Sequence, residues 1–117
     1  GHNMAESLTV IGDVAGRTAI LIDDMIDTGG TICAGARLLR EQGAQRVLAC
    51  ATHAVFSPPA SERLSVEGLF EQVVVTNSIP IPDDRVFPQL KVLSVANMLG
   101  EAIWRIHEES SVSSMFR

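Results

Sequence analysis

The sequence predicts a single α/β domain of three layers, in which helices flank a largely parallel sheet. Four short apolar runs, at residues 19–22, 47–51, 73–75 and 92–93, are rich in branched side chains and are unbroken rather than alternating. Such runs are typical of strands that are buried on both faces, as in parallel sheets. A chain of 117 residues can form one hydrophobic core. We therefore expect one domain over residues 1–117, with a tail at 110–117.

Two helices are predicted around these strands. Residues 31–42 are good helix formers and are followed by Gly43, which suits a left-handed cap, so the first two strands and this helix form a βαβ unit. We expect Ser94 to cap the last helix. That helix is indicated by apolar residues at helical spacing: Val95, Met98, Leu99, Ala102, Ile103 and Ile106. Its apolar stripe should cover one face of the sheet.

Composition excludes several classes of function. The net charge is −5 and Lys91 is the only lysine, which argues against a sequence-independent nucleic-acid surface. No apolar run approaches the roughly 20 residues of a membrane span, and the start does not resemble a signal peptide, so a cytoplasmic location is expected. Cys33 and Cys50 are expected to be unpaired core thiols. Because the first residue is Gly1 rather than Met, we expect a tagged, processed or partial chain.

The most informative stretch is residues 22–31, Ile-Asp-Asp-Met-Ile-Asp-Thr-Gly-Gly-Thr, which follows the first strand and opens the first helix. Ligands of parallel α/β sheets bind at this edge. Gly29 and Gly30 allow the backbone to approach an anion closely, and Thr28 and Thr31 add hydroxyl donors. The helix start adds unpaired N–H groups and the positive end of its dipole. This half of the stretch predicts a monophosphate site.

The three carboxylates in this stretch, Asp23, Asp24 and Asp27, would repel a phosphate at close range and therefore need another target. Vicinal hydroxyls of a sugar donate to carboxylates, and a bound Mg²⁺ would neutralise the remaining charge. The combination predicts a pentose phosphate site, with a purely structural turn as the alternative. The patterns of nucleotide hydrolases and of dinucleotide-binding proteins are absent, because no Gly-Lys-Ser/Thr and no Gly-x-Gly-x-x-Gly occurs here.

After the apolar strand, the chain continues with Asp-Asp, two residues, Asp-Thr, a small residue and Gly-Thr. This order resembles the phosphoribosyl-diphosphate loop of type I phosphoribosyltransferase folds. From about Asn3 to Phe116, the chain more narrowly resembles the carboxyl-terminal half of class I ribose-phosphate pyrophosphokinases. The further matching segments are residues 11–14, 52–60, 75–80 and 111–116.

This resemblance implies that the full-length enzyme transfers diphosphate from ATP to ribose 5-phosphate, uses Mg²⁺ and yields phosphoribosyl diphosphate. It also implies that the full-length enzyme is a cytoplasmic homo-oligomer. It implies that Asp23 and Asp27 hold ribose hydroxyls, that Asp24 supports the site, and that Asp23 and Asp24 contact substrate-bound Mg²⁺. The residues implied for the 5-phosphate are Thr28, Gly29, Gly30 and Thr31. Those implied for a regulatory nucleotide site are Ser111, Val112, Ser113, Ser114, Met115 and Phe116.

The resemblance also implies what this chain lacks. In the family, the ATP pocket, a metal-binding histidine and a basic catalytic loop lie in the first domain or just before the present start. We therefore expect this chain to bind ribose 5-phosphate without turning it over, and we place no catalytic residue in it. A non-catalytic regulatory subunit and a base phosphoribosyltransferase remain alternatives. A phosphorelay receiver is excluded, because Thr52-His53 and Thr76-Asn77 stand where its phosphoacceptor and lysine would be needed.

Two further side chains are left with open roles. His53 is expected to be a loop histidine satisfied by the backbone, with a ligand or phosphate contact as the alternative. Trp104 lies off the apolar stripe of the last helix, which suits either an interface or partial burial in the core.

Overall fold

The structure is a computed structural model that describes residues 8–117, so the first seven residues of the predicted domain lie outside the described part. Its strands are β1 (Thr18–Ile26), β2 (Arg46–Ala54), β3 (Gln72–Thr76) and β4 (Leu90–Leu93). Its helices are α1 (Gly30–Glu41), α2 (Ala60–Leu64) and α3 (Ala96–His107), with 3-10 turns at Asp83–Arg85 and Ser113–Phe116. The sheet order is β1-β2-β3-β4 and every pair is parallel, which confirms the predicted α/β class and parallel sheet.

The βαβ unit of β1, α1 and β2 forms as predicted. Helix α1 ends at its cap Gln42, and Gly43 follows with a left-handed φ of 94°. The amide of Gly43 donates to the carbonyl of Arg40 at 3.0 Å. A Cβ on Gly43 would lie 3.3 Å from Ala15, so both the backbone conformation and the close approach favour glycine here.

The core lies between one face of the sheet and the helices α1 and α2. The buried sheet residues alternate along the strands, as Val47, Ala49 and Ala51 do on β2. Helix α1 contributes Cys33 to this core, and burial raises the pKa of its thiol. Cys50 is half-buried and belongs to the other face of β2. Both thiols are free, as expected.

The opposite face of the sheet is open, so the expectation of strands buried on both faces is wrong for this chain. Ile20 and Ile22 on β1 are 57% and 80% exposed. When strands are added in one direction through right-handed crossovers, the crossovers all lie on one side of the sheet. Helices α1 and α2 are such crossovers, and they leave the other side uncovered. The third layer is therefore not formed by the described residues.

The prediction that the stripe of α3 covers the sheet is also wrong. Helix α3 follows the edge strand β4, and none of its residues is buried. Ile103 is 67% exposed and Trp104 is 58% exposed. The prediction that Ser94 caps this helix is wrong by one residue, because the cap is Val95, although the Ser94 hydroxyl accepts a hydrogen bond from the Ala96 amide at 3.1 Å. No helix formed by residues 8–117 has both the length and the apolar composition required to cross a membrane.

Candidate functional site

The end of β1, the turn that follows it and the start of α1 line a shallow depression of about 220 Å³ at the carboxyl edge of the sheet. Asp23 and Asp27 line it from the strand side, and residues 28–31 line it from the helix side. Six of the seven residues predicted for a pentose phosphate therefore share one depression. The seventh, Asp24, is not among its lining residues.

The helix side of the depression presents unused backbone donors. Gly29 caps α1 with a left-handed φ of 81°, and no side chain caps the helix. The first hydrogen bond of α1 runs from the Cys33 amide to the Gly29 carbonyl at 3.0 Å, so the amides at positions 30–32 precede it. No acidic residue lies in the first turn of the helix. This end of the depression can accept an anion through backbone N–H groups.

The strand side of the depression carries carboxylates. The Asp24 amide donates to Asp23 Oδ1 at 2.7 Å. The pKa of Asp24 is lowered, first by a side-chain hydrogen bond with Asp23 and then by the Met25 amide. Asp24 is exposed and lies next to Asp23, but it does not line the depression. Asp23 and Asp27 are thus the two carboxylates that line the depression, where they can accept hydrogen bonds from hydroxyl groups.

Arg63 on α2 is a cation at the turn that sequence reasoning did not find. Its Nη1 donates to the Thr28 carbonyl at 3.3 Å. A Cβ on Gly30 would lie 3.2 Å from the same nitrogen. The two positions are 35 residues apart, and only the packing of α2 against α1 brings them together. The sequence did contain one indication that Arg63 lies near this turn. Arg63 follows soon after β2, and the carboxyl end of β2 lies beside that of β1.

His53 belongs to β2 rather than to a loop, and its partner is a side chain, which corrects the expectation of a backbone partner. Its Nδ1 lies 2.8 Å from Ser78 Oγ. The Ser78 hydroxyl in turn donates to the Thr52 carbonyl at 3.2 Å. His53 does not line the depression at the turn.

The predicted regulatory tail folds back on the end of α3. Arg105 donates from Nη1 to the Ser111 carbonyl at 3.0 Å and also contacts the Ser114 hydroxyl. Ser114 Oγ donates to the Ser111 carbonyl at 2.9 Å. Phe116 is 69% exposed, and no tail residue lines the depression at the turn.

Within residues 8–117, no three or more histidine, cysteine or acidic side chains are grouped to hold a metal ion by themselves. Asp23 and Asp24 are adjacent and exposed. Two carboxylates suit Mg²⁺ that arrives with a substrate and keeps several of its waters. These two carboxylates therefore fit the expected Mg²⁺ that arrives with the substrate better than they fit a metal site formed by protein ligands alone.

Comparison with known proteins places this chain in a family. A family model described as phosphoribosyl synthetase-associated domain matches residues 3–117. The chain is 90% identical over 117 residues to the ribose-phosphate pyrophosphokinase of Parasynechococcus marenigrum (strain WH8102) and 62% identical over 117 residues to ribose-phosphate pyrophosphokinase 1 of Spinacia oleracea. These alignments cover 100% of this chain.

A crystal structure of phosphoribosylpyrophosphate synthetase from Mycobacterium smegmatis is also similar, with 52% sequence identity and a TM-score of 0.82. That match covers 86% of this chain and 33% of the other chain. This chain is therefore similar to the known synthetase in fold as well as in sequence, which confirms the predicted α/β class.

The chain spans about a third of the length of these relatives, 35% for the first and 34% for the second. The prediction that it is the carboxyl-terminal half of such an enzyme is therefore wrong as stated, because the matched part is not a half. The family prediction itself is confirmed. Since the family model matches from residue 3 to residue 117, this chain belongs to the phosphoribosyl synthetase-associated domain family of ribose-phosphate pyrophosphokinases.

Proposed function

We propose that this chain forms the ribose 5-phosphate-binding part of a ribose-phosphate pyrophosphokinase. That enzyme transfers diphosphate from ATP to ribose 5-phosphate and yields phosphoribosyl diphosphate for nucleotide biosynthesis. The observation that carries the proposal is the single depression with Asp23 and Asp27 on one side and the unused amides of the helix start on the other. A sugar phosphate matches both sides at once, because its hydroxyls donate to carboxylates and its phosphate accepts from N–H groups.

Each predicted site residue has a role in this proposal. The ribose hydroxyls donate to Asp23 and Asp27, and Asp24 orients Asp23 through its amide. The 5-phosphate lies at the helix start and accepts from the backbone and hydroxyl donors of Thr28, Gly29, Gly30 and Thr31. Mg²⁺ enters with the substrate and contacts Asp23 and Asp24, where it would offset the charge of the carboxylates.

The remaining partners are proposed on the same family grounds. ATP would bind to other parts of a longer protein, and that protein would be a cytoplasmic homo-oligomer. Residues 111–116 would contribute to a regulatory nucleotide site, where their hydroxyls could donate to phosphate oxygens. Arg105 contacts Ser111 and Ser114 and so ties this segment to the end of α3, which supports an organised role for it.

Calorimetric titration of ribose 5-phosphate into this chain tests the binding site. We expect Asp27→Asn to weaken binding by about tenfold, because an amide replaces a charged acceptor for a sugar hydroxyl. The melting temperature should be nearly unchanged, since Asp27 is exposed. Asp83→Asn is the matched control, because Asp83 is an exposed aspartate on the 3-10 turn outside the depression.

Equal affinity in the unmodified chain and Asp27→Asn would contradict the assignment of Asp27, and no binding by the unmodified chain would contradict the site as a whole. The same preparations should form no phosphoribosyl diphosphate from ATP and ribose 5-phosphate. A diphosphoryl transfer requires cations at the transferred group, and the arginine at this turn lies on the acceptor side. Turnover by the purified chain would contradict that expectation.

A further inference from the structure

Arg63 lies at the same turn as the proposed phosphate site, and none of the roles in the proposed function requires it. Helix α2 holds it there: the Arg63 amide donates to the Pro59 carbonyl at 3.1 Å, and the neighbouring Leu64 is fully buried. Leu64 also lies against the turn, because a Cβ on Gly29 would be 3.7 Å from its Cγ. The base of the Arg63 side chain is thus fixed by the core, while the side chain itself is exposed.

The guanidinium group has more donors than the structure uses. Arginine carries five N–H donors. Within residues 8–117, its side chain donates one hydrogen bond, from Nη1 to the Thr28 carbonyl at 3.3 Å. Arg63 does not itself line the depression, but Nη1 lies beside Thr28 and Gly30, which do, so its other nitrogens are available to a ligand at this edge. A planar guanidinium matches two phosphate oxygens better than an ammonium does.

The charge balance of the turn favours such a role. Asp23 and Asp27 line the depression and oppose a phosphate dianion, whereas the backbone amides of α1 supply only partial positive charge. Nη1 of Arg63 would lie 3.2 Å from a Cβ on Gly30, which puts a full positive charge beside the helix start. This charge also acts on Cys33 in α1, where burial raises the thiol pKa and Arg37 and Arg63 oppose the rise.

We propose that Arg63 binds the phosphate of the pentose phosphate directly, so that α2 and the turn after β1 together select phosphorylated over unphosphorylated sugars. This inference rests on the proposed function and adds to it a residue from a second element. The glycine at position 30 leaves room for the guanidinium, because a Cβ there would lie 3.2 Å from Nη1 and the group would have to shift slightly.

Titration of ribose 5-phosphate into Arg63→Gln, Arg63→Lys and the unmodified chain tests this role. We expect Arg63→Gln to weaken binding about tenfold, as the loss of one charge-assisted contact at an exposed site would do. Arg63→Lys should recover part of the affinity, because it keeps the charge and loses the planar fork. Arg37→Gln is the control for net charge, since Arg37 is an exposed arginine farther along α1, whereas Arg63 contacts the turn through the Thr28 carbonyl.

Salt dependence separates phosphate binding from a structural role. Between about 0.01 M and 1 M salt the screening length falls from about 30 to 3 Å, so salt weakens both the attraction of Arg63 and the repulsion of the aspartates for the phosphate. On going to high salt, Arg63→Gln should therefore lose less affinity, or gain more, than the unmodified chain and Arg37→Gln do. If Arg63 only holds the turn, Arg63→Lys and Arg63→Gln will weaken binding equally with an unchanged salt slope, and the inference is overturned.

The outcomes also separate this inference from the proposed function. If the unmodified chain binds ribose 5-phosphate and Arg63→Gln binds it equally well, the inference fails while the proposed function stands. If the unmodified chain does not bind ribose 5-phosphate at all, the proposed function fails and the inference fails with it. Melting temperatures of the variants close to that of the unmodified chain would show that each result concerns binding.

Discussion

Gly29 is the residue on which the shape of the turn depends most. Its φ of 81° lies in the left-handed region, and it caps α1 without help from a side chain. A glycine reaches this conformation without the clash that other L-residues suffer between Cβ and the following carbonyl. The predicted phosphate site therefore depends on a backbone conformation that the sequence had suggested through Gly-Gly alone.

We expect Gly29→Ala to lower the free energy of unfolding by about 1 to 2 kcal/mol, the cost of a left-handed alanine. Gly68→Ala is the matched comparison, because Gly68 has the same φ of 81° and no atom within 4 Å of an added Cβ. Denaturant unfolding should show similar losses for the two variants, whereas only Gly29→Ala should weaken binding of ribose 5-phosphate. A normal affinity in Gly29→Ala would argue against a ligand at this turn.

Single residues of the site differed in how well the sequence revealed them. Asp23, Asp27 and residues 28–31 were found because they are contiguous and lie in a turn whose position follows from the strand before it. Asp24 belongs to the same run, but it does not line the depression. Arg63 was missed because its contact with the turn depends on how α2 packs.

The length of a helix does not determine how many of its residues are buried here, as α2 and α3 show. Helix α2 has five residues and buries Ala60 and Leu64 completely. Helix α3 has twelve residues and buries none. The shorter helix is the one that contributes to the core and holds Arg63 at the turn.

Truncation of one residue in each helix measures this difference. We expect Leu64→Ala to lower the free energy of unfolding by about 2 to 5 kcal/mol, because it opens a cavity in a packed core. Ile103→Ala should change it by less than about 0.5 kcal/mol, since Ile103 is 67% exposed. Chemical denaturation monitored by circular dichroism gives both values. A large loss in Ile103→Ala would mean that α3 packs against the sheet in solution.

In the described part of the molecule, one face of the sheet is covered and the other is exposed. Val47, Val73 and Val75 are fully or almost fully buried beneath α1 and α2, whereas Ile20 and Ile22 on the other side are more than half exposed. Parallel sheets are found almost only with both faces covered. The uncovered face is consistent with a chain that spans about a third of its relatives.

A threonine placed on each face tests this asymmetry, because it keeps a branched side chain and adds a hydroxyl. We expect Val73→Thr to lower the free energy of unfolding by about 1 to 3 kcal/mol, the cost of burying an unpaired hydroxyl. Ile20→Thr should leave the melting temperature nearly unchanged and should reduce binding of an apolar dye. Equal destabilisation by the two variants would indicate that the open face is covered in solution.

The sequence by itself determined the four parallel strands, the helix α1 with its glycine cap, the carboxylate and glycine turn, and the family. These features are encoded locally, in apolar runs, caps and contiguous motifs, so a single stretch of chain suffices to predict them. Only the tertiary structure decided which face of the sheet is covered, where the stripe of α3 lies, and that Arg63 meets the turn. Those outcomes depend on crossover handedness and on packing between residues far apart in sequence, which no local pattern specifies.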